Sequence, residues 1–190
     1  MSRELPKIYL GGSITENPDG QHGNSWRIFT ESTYDWLDWV NPLDSEDPEE
    51  DEYTSTYYRD LVDLDLDLID SCEGFLYYYQ DYAMSIGTGQ EQFYAWNMGL
   101  PVVVVYEGDP ADLSPFVIAH CDAIVTSIEW AVEELERLVE EMYMMVEEPR
   151  EYLNNKCSEN IDEWDTFFTE EPTTETLMDG AAEGYYEEDY

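Results

Sequence analysis

Pro101-Val102-Val103-Val104-Val105-Tyr106 sets four β-branched residues in a row with no polar residue among them. Strands with one wet face alternate apolar and polar, so an unbroken run belongs to a strand covered on both sides, as in a parallel sheet. Just upstream, Gly87 to Met98 reads as a helix that Gly99 stops. Before it, Phe75 to Tyr79 reads as another buried strand. Downstream, Ala123 to Thr126 is strand-like, and Glu129 to about Val146 forms a helix with its acidic face outward. At the other end, Lys7 to Leu10 is a strand running into Gly11-Gly12-Ser13. After a polar loop to about Gly23, Asn24 or Ser25 caps a helix with Trp26, Phe29, Trp36 and Leu37 on its apolar positions. Val40 marks a short strand closed by Asn41-Pro42, and the acidic stretch Asp44 to Glu52 is a solvated loop.

Tyr57 to Asp70 admits two readings. Asp63, Asp65 and Asp67 alternate with Leu64, Leu66 and Leu68 as in a strand, while Leu61, Leu64 and Leu68 with Val62 and Ile69 make a helical stripe. A row of Asp on one pleated face would repel itself and suits a strand poorly, which favours the helix. Strands alternating with helices in this rhythm predict an α/β fold: a Rossmann-like (flavodoxin-like), doubly wound sheet of about five parallel strands. Residues 1–147 form that domain. Residues 148–190 are expected to be an acidic extension, partly disordered, in which thirteen acids and one Lys fall within 151–190 alongside Trp164, Phe167, Phe168, Tyr185, Tyr186 and Tyr190.

Across all 190 residues, 7 Lys+Arg face 46 Asp+Glu, a formal charge of −39, yet 43% of residues are hydrophobic and 15% aromatic. That apolar content separates the chain from disordered acidic sequences. The charge repels polyanions and anionic membranes, so neither nucleic acid nor a membrane surface is an expected partner. Concentrated salt, where the Debye length is roughly 3 Å, tolerates such a charge, and the composition reads as that of an extreme halophile. No signal peptide or membrane-length apolar run is visible, so a cytoplasmic protein is expected. Cys72, Cys121 and Cys157 show no C-x-x-C spacing and read as reduced thiols. His22 and His120 stand apart from any ligand cluster, so no metal and no cofactor are expected.

In an open parallel sheet ligands bind at the carboxyl ends of strands, which selects Gly11-Gly12-Ser13, the Tyr79–Gly89 loop and Tyr106–Ser114. There is no G-x-G-x-x-G after the first strand and no Gly-Lys for a P-loop. Within Ser85-Ile86-Gly87-Thr88-Gly89-Gln90-Glu91, the glycines let backbone N–H groups approach a ligand at a helix N-terminus. Glu91 is expected in the first helical turn, where the dipole favours its ionised form. Residue chemistry alone supports a small-molecule site here, and leaves Glu91 open as an ordinary helix-turn acid.

Several pieces occur in a fixed order: Lys7-Ile8-Tyr9-Leu10-Gly11-Gly12-Ser13-Ile14, Trp26-Arg27, Asn41-Pro42-Leu43, and Asp65-x4-Asp70-Ser71-Cys72. Ser85-x-Gly87-Thr88-x-x-Glu91 with Tyr94-Ala95, Gly99-x-Pro101-Val102, and Leu113-Ser114-Pro115 follow. Over about residues 7 to 145 this set resembles the nucleoside 2-deoxyribosyltransferase family. The resemblance implies that Glu91 is the nucleophile that attacks C1′ of a deoxyribose. Asp65 would be the carboxyl that protonates the departing base, and Tyr9 would position the nucleophile. Gly12, Ser13, Gly87 and Thr88 would line the substrate, with Trp26 either a base-stacking wall or a packing residue. The nucleoside-using transferases carry an Asp six residues before the nucleophile, where this chain has Ser85. Serine there resembles the related 2′-deoxynucleoside 5′-monophosphate N-glycosidases, in which Ser114 would add a second phosphate contact from a neighbouring subunit; simple helix caps are the alternative for both.

The leading expectation is therefore base exchange between deoxynucleosides, with hydrolysis of a deoxynucleoside 5′-monophosphate as the alternative. A non-catalytic nucleotide sensor or structural protein is the reading from another class, and its mark would be binding without turnover. The resemblance also implies a homodimer or larger homo-oligomer, with Tyr190 either reaching a partner's cleft or ending a solvated terminus. The charge itself makes a prediction. The melting temperature, followed by circular dichroism, should fall steeply as salt is lowered from molar to dilute, and an unchanged value would contradict the halophile reading.

Overall fold

The computed structural model describes residues 5–14, 23–44, 55–80 and 85–145. Among them are five strands: β1 (Lys7–Gly12), β2 (Asp38–Val40), β3 (Gly74–Tyr78), β4 (Val102–Val105) and β5 (Ala123–Val125). They form one sheet in the order β2-β1-β3-β4-β5, with every pairing parallel. The helices are α1 (Ser25–Thr33), α2 (Ser55–Asp70), α3 (Ile86–Asn97), α4 (Pro115–Ala119) and α5 (Ile128–Met145). From β1 the chain steps outward to β2, then returns past β1 to β3 and continues to β5. The reversal puts the topological switch point between β1 and β3.

The valine run is β4, and all four valines are fully buried, as a strand with neighbours on both edges and cover on both faces requires. Helices α2 and α3 pack together on one face, while α5 lies across β3, β4 and β5 on the other. Ile8 and Gly74 meet Leu135 and Val139 of α5, so even-numbered residues of β1 point to that side. Tyr9 points to the opposite side and stacks on Phe75, ring centres 5.2 Å apart. Helix α3 ends as Gly99 predicts. Its φ is 81°, its N–H donates to Trp96 O, and the next N–H, of Leu100, reaches Ala95 O, a Schellman closure.

Tyr57 to Asp70 is helical, which settles the ambiguous stretch in favour of the leucine stripe. The first helix differs from expectation. It stops at Thr33, and Phe29 and Trp36 are 53% and 46% exposed. Leu37 is buried, but in the turn leading to β2. The buried face of α1 consists of Trp26, Arg27 and Thr30, so hydrophobic periodicity misassigned it: a charged side chain takes a core position. Asn24 is the N-cap but makes no side-chain capping bond. Short 3-10 turns at Pro42–Asp44 and Pro110–Asp112 are elements that the sequence reading lacked, while α4 is the helix that the capping alternative for Ser114 implies. Cys72 and Cys121 are free thiols. His22, Cys157, Tyr190 and the whole 148–190 extension lie outside the described residues.

Gly11 sits where β1 crosses Phe75, and a Cβ there would overlap the Phe75 ring. Phe75 is fully buried, so the ring has no room to retreat. Gly11→Ala should lower stability by about 1–3 kcal/mol through overpacking, read as a shift in the denaturant midpoint at unchanged slope.

Candidate functional site

The site begins with an unequal pair of strands. β2 pairs with β1 only from Lys7 to Tyr9, whereas β3 pairs with β1 as far as Gly12. Carbonyls along a strand alternate sides. Pro6 O accepts from Asp38 N on the β2 side, and Lys7 O accepts from Glu73 N on the β3 side. Leu10 O and Gly12 O therefore face the place where β2 has already stopped. The Arg27 guanidinium fills it. Nε donates to Leu10 O at 3.1 Å and Nη2 to Gly12 O at 2.7 Å, while Nη1 donates to Gly23 O at 3.2 Å. Arg27 is 1% exposed, and burial lowers its pKa to about 10, so it remains a cation at neutral pH.

Glu91 and Tyr9 lie within the field of this cation, and Asp65 acts on both of them. Glu91 on α3 is pushed up to about 7, first by burial and then by Asp65 of α2, with Arg27 pulling the other way. Burial also raises the Asp65 pKa. Tyr9 of β1 is raised above its ordinary value, first by burial and then by Glu91 and Asp65. It stays a phenol, and its Oη is buried without a hydrogen-bond partner. Tyr77 of β3 is likewise raised, by burial and then by Tyr79 and Glu91. Tyr9, Asp65 and Glu91 thus come together at the switch point, within each other's field. The helix-dipole expectation for Glu91 does not hold. Helix α3 starts at Ile86, one residue before the glycine taken as its opening, so Glu91 lies in the second turn, past the reach of the terminus. Burial and Asp65 dominate, and both favour the protonated form.

Ser85 and Ser114 form a second grouping. Both line a cavity of about 520 Å³ between α3 and α4, together with Ile86, Gly89, Phe116 and His120. None of the described residues lining it is acidic. Both serines are also caps: Ser85 Oγ accepts from Thr88 N and from Thr88 Oγ1, and Ser114 Oγ accepts from Phe116 N. Each hydroxyl keeps its own O–H to donate. Thr88 is buried in this cap rather than on the cavity wall. A Cβ on Gly89 would meet nothing within 4 Å, and one on Gly87 only Ser85 Oγ at 3.8 Å, so both leave open space at the helix start.

Gly12 and Trp26 form a third contact. A Cβ on Gly12 would lie 2.9 Å from Trp26 Cζ2, which makes Gly12 the residue that lets the indole close over the end of β1. Trp26 is 8% exposed, its ring centre 5.1 Å from that of Tyr78 and 4.6 Å from Arg27 Cζ. Its Nε1 is buried and unpartnered. Ser13, beside it, is buried. Reasoning from sequence quoted Arg27 but gave it no role. The available signal was its rarity, since only seven cations occur in the chain and this one sits beside a tryptophan. His120 is held by packing: Nδ1 lies 2.7 Å from Phe116 O, and Phe93 and Trp96 meet its ring edge-on. Among the described residues no group of His, Cys, Asp or Glu is arranged to hold a metal, and no helix is long and apolar enough to cross a membrane.

No family model matches the chain, and no curated protein does. Solved structures do. A 2-deoxyribosyltransferase from Bacillus psychrosaccharolyticus superposes with a TM-score of 0.56 at 16% identity, over 66% of this chain and 89% of that one. A conserved protein from Enterococcus faecalis V583 superposes with a TM-score of 0.53 at 15% identity, over 70% of this chain and 99% of that one. The fold is therefore that of a 2-deoxyribosyltransferase.

The raised Glu91 pKa has a thermodynamic signature. Folded Glu91 holds its proton from its ordinary value of 4.5 up to about 7, so over that window the folded state binds more protons and stability declines as pH rises. Glu91→Gln should therefore stabilise the fold at pH 8 by about 2 kcal/mol and leave it nearly unchanged at pH 4, where both side chains are neutral. Urea unfolding at the two pH values measures the difference.

Proposed function

We propose that the protein cleaves the N-glycosidic bond of 2′-deoxynucleosides and transfers the sugar to another base through a covalent intermediate on Glu91. The observation that supports this most is the half-buried pair Glu91 and Asp65, with Asp65 acting on Glu91 and both acting on Tyr9 at the switch point of this fold. One Glu91 carboxylate oxygen attacks C1′ as the C1′–N bond breaks, and the departing base takes the proton of the Asp65 carboxyl. A deoxyribosyl ester of Glu91 remains. An incoming base attacks C1′ from the side the first base left, the ester C–O bond breaks, and Asp65 recovers a proton from the new nitrogen. Two inversions give retention. Tyr9, a phenol throughout, donates to the nucleophile and fixes its angle of attack.

This chemistry needs one proton on the pair: Glu91 ionised, Asp65 protonated. A raised Glu91 pKa means that the pair binds its last proton near pH 7, and only the fraction carrying it on Asp65 reacts. Turnover should thus follow a bell in pH, falling above about pH 7 as the pair loses that proton and falling at low pH as it gains a second.

Hydrolysis of a deoxynucleoside 5′-monophosphate on the same residues is the second reading. The two hydroxyls of Ser85 and Ser114, on a wall whose described residues carry no carboxylate, favour it, because each can donate to a phosphate oxygen that a carboxylate would repel. Incubating the protein with deoxyinosine or dAMP, with and without adenine as acceptor, separates the readings by product analysis. A new deoxynucleoside supports transfer, and free base with deoxyribose 5-phosphate supports hydrolysis. Glu91→Ala should reduce either rate at least about 10³-fold; an active variant would remove the mechanism.

A further inference from the structure

Arg27 is a buried cation whose bonds all go to neutral atoms. Its three donors reach Leu10 O, Gly12 O and Gly23 O. Among the described residues the ion pairs are those of Arg137 with Glu134 and Glu141, on the exposed side of α5. Burying a charge without a contact partner is costly, and neutral amide donors could satisfy carbonyl oxygens. The charge itself therefore needs a use. The guanidinium is held to the end of β1 by three bonds, so its position relative to the switch point is fixed.

The ionisable groups within its field are Tyr9, Glu91 and Glu31. Glu91 of α3 is faced by Asp65 from α2, Tyr9 from β1, Tyr77 from β3 and Arg27 from α1, while the residues of β4 are all valine. Among these neighbours Arg27 is the one cation. Burial and Asp65 both work against a Glu91 anion, and Arg27 works for it. The influence is mutual, since Tyr9, Glu91 and also Glu31, one turn on along α1, act in turn to hold the proton on Arg27.

We propose that Arg27 is a positioning residue for the proton of the carboxyl pair: its fixed, buried charge draws ionisation to Glu91 and leaves the proton to Asp65. This rests on the glycosyl-transfer reading above. In its terms Arg27 touches no reacting atom. It raises the share of singly protonated enzyme that has the nucleophile bare and the acid loaded. Its tether to Gly12 O and Leu10 O gives it a structural role as well, and the two roles respond differently to substitution. Arg27→Gln removes the charge and keeps amide donors for the carbonyls, Arg27→Met removes both, and Arg27→Lys keeps the charge with fewer donors.

The test reads Glu91 directly. The protein carries ¹³C-labelled glutamate, Glu91→Gln identifies the resonance, and the titration midpoint is followed by NMR in each variant that retains the wild-type circular dichroism spectrum. Loss of the charge should move the midpoint up by about one pH unit in the Gln or Met variant. The Lys variant should stay near wild type whatever its loss of thermal stability. The alkaline limb of turnover should move upward with the midpoint, and the maximal rate should drop about tenfold as the reactive arrangement becomes rarer. An unmoved midpoint in a folded charge-free variant overturns the proposal, as does a Lys variant shifted as far as one without charge. Absence of turnover in the wild-type protein would count against the proposed function alone, because the Glu91 midpoint still reports what Arg27 does.

Discussion

A strand that ends three residues early creates the demand on which the centre of this molecule depends. β2 leaves Leu10 O and Gly12 O of β1 unpaired, and unpaired carbonyls in a core are expensive. Arg27 answers from α1 with a guanidinium that reaches both and a third carbonyl from the turn before the helix. One side chain thus completes the hydrogen bonding of the sheet margin, fixes the helix against it and holds the turn at Gly23. It also brings a positive charge to the point where the sheet changes direction. Trp26, next in sequence, closes over Gly12 and packs on Tyr78, so the end of β1 is gripped on two sides.

What surrounds that grip is poor in solvent and rich in ionisable groups. Tyr9, Asp65, Tyr77 and Glu91 all have their protons held more tightly than in water, and burial is the leading cause in each case. A carboxyl whose pKa is raised toward neutrality costs fold stability as pH rises, so its place here is not explained by stability. Tyr9 Oη, on one face of the sheet, and Trp26 Nε1, against Gly12 and Tyr78, are buried with no partner of their own. Such atoms are rare in cores.

The architecture was legible because its signals are local and strong. Four consecutive valines admit few settings other than a doubly covered strand, and Gly99 stops its helix by a conformation that few other residues adopt. The leucine stripe of α2 outweighed its aspartate alternation for a physical reason, like-charge repulsion on a pleat. Where sequence reading failed, the cause lay in partners that sequence does not display. Arg27 bonds to backbone carbonyls, which every residue possesses, so nothing in the composition of β1 announces it. Phe29 and Trp36 scored as core by hydrophobicity, while Arg27 and Thr30 hold the buried face through hydrogen bonds, Thr30 Oγ1 donating to Trp26 O. The Glu91 carboxyl was placed in the first turn, whereas with Ser85 as the cap and Ile86 as the first helical residue it is the sixth and lies in the second turn. Tyr9, Asp65 and Glu91 were named individually, but that they share one field follows from the register of β1 against β3 and from the packing of α2 on α3.

The cavity between α3 and α4 has a consequence for traffic in the surrounding solution. About one residue in four of the whole chain is a carboxylate, yet the twelve described residues that line this cavity include none. An anionic solute diffusing toward the protein meets a repulsive shell, and this wall is a gap in it. Encounters that end elsewhere are turned back, so the fraction of arrivals directed to the Ser85–Ser114 wall exceeds its share of the surface. The usual steering of ligands by attractive charge weakens as ions are added. Steering by exclusion weakens too, but the overall arrival rate of anions rises as the shell is screened, so in concentrated salt the protein exchanges selectivity of approach for speed.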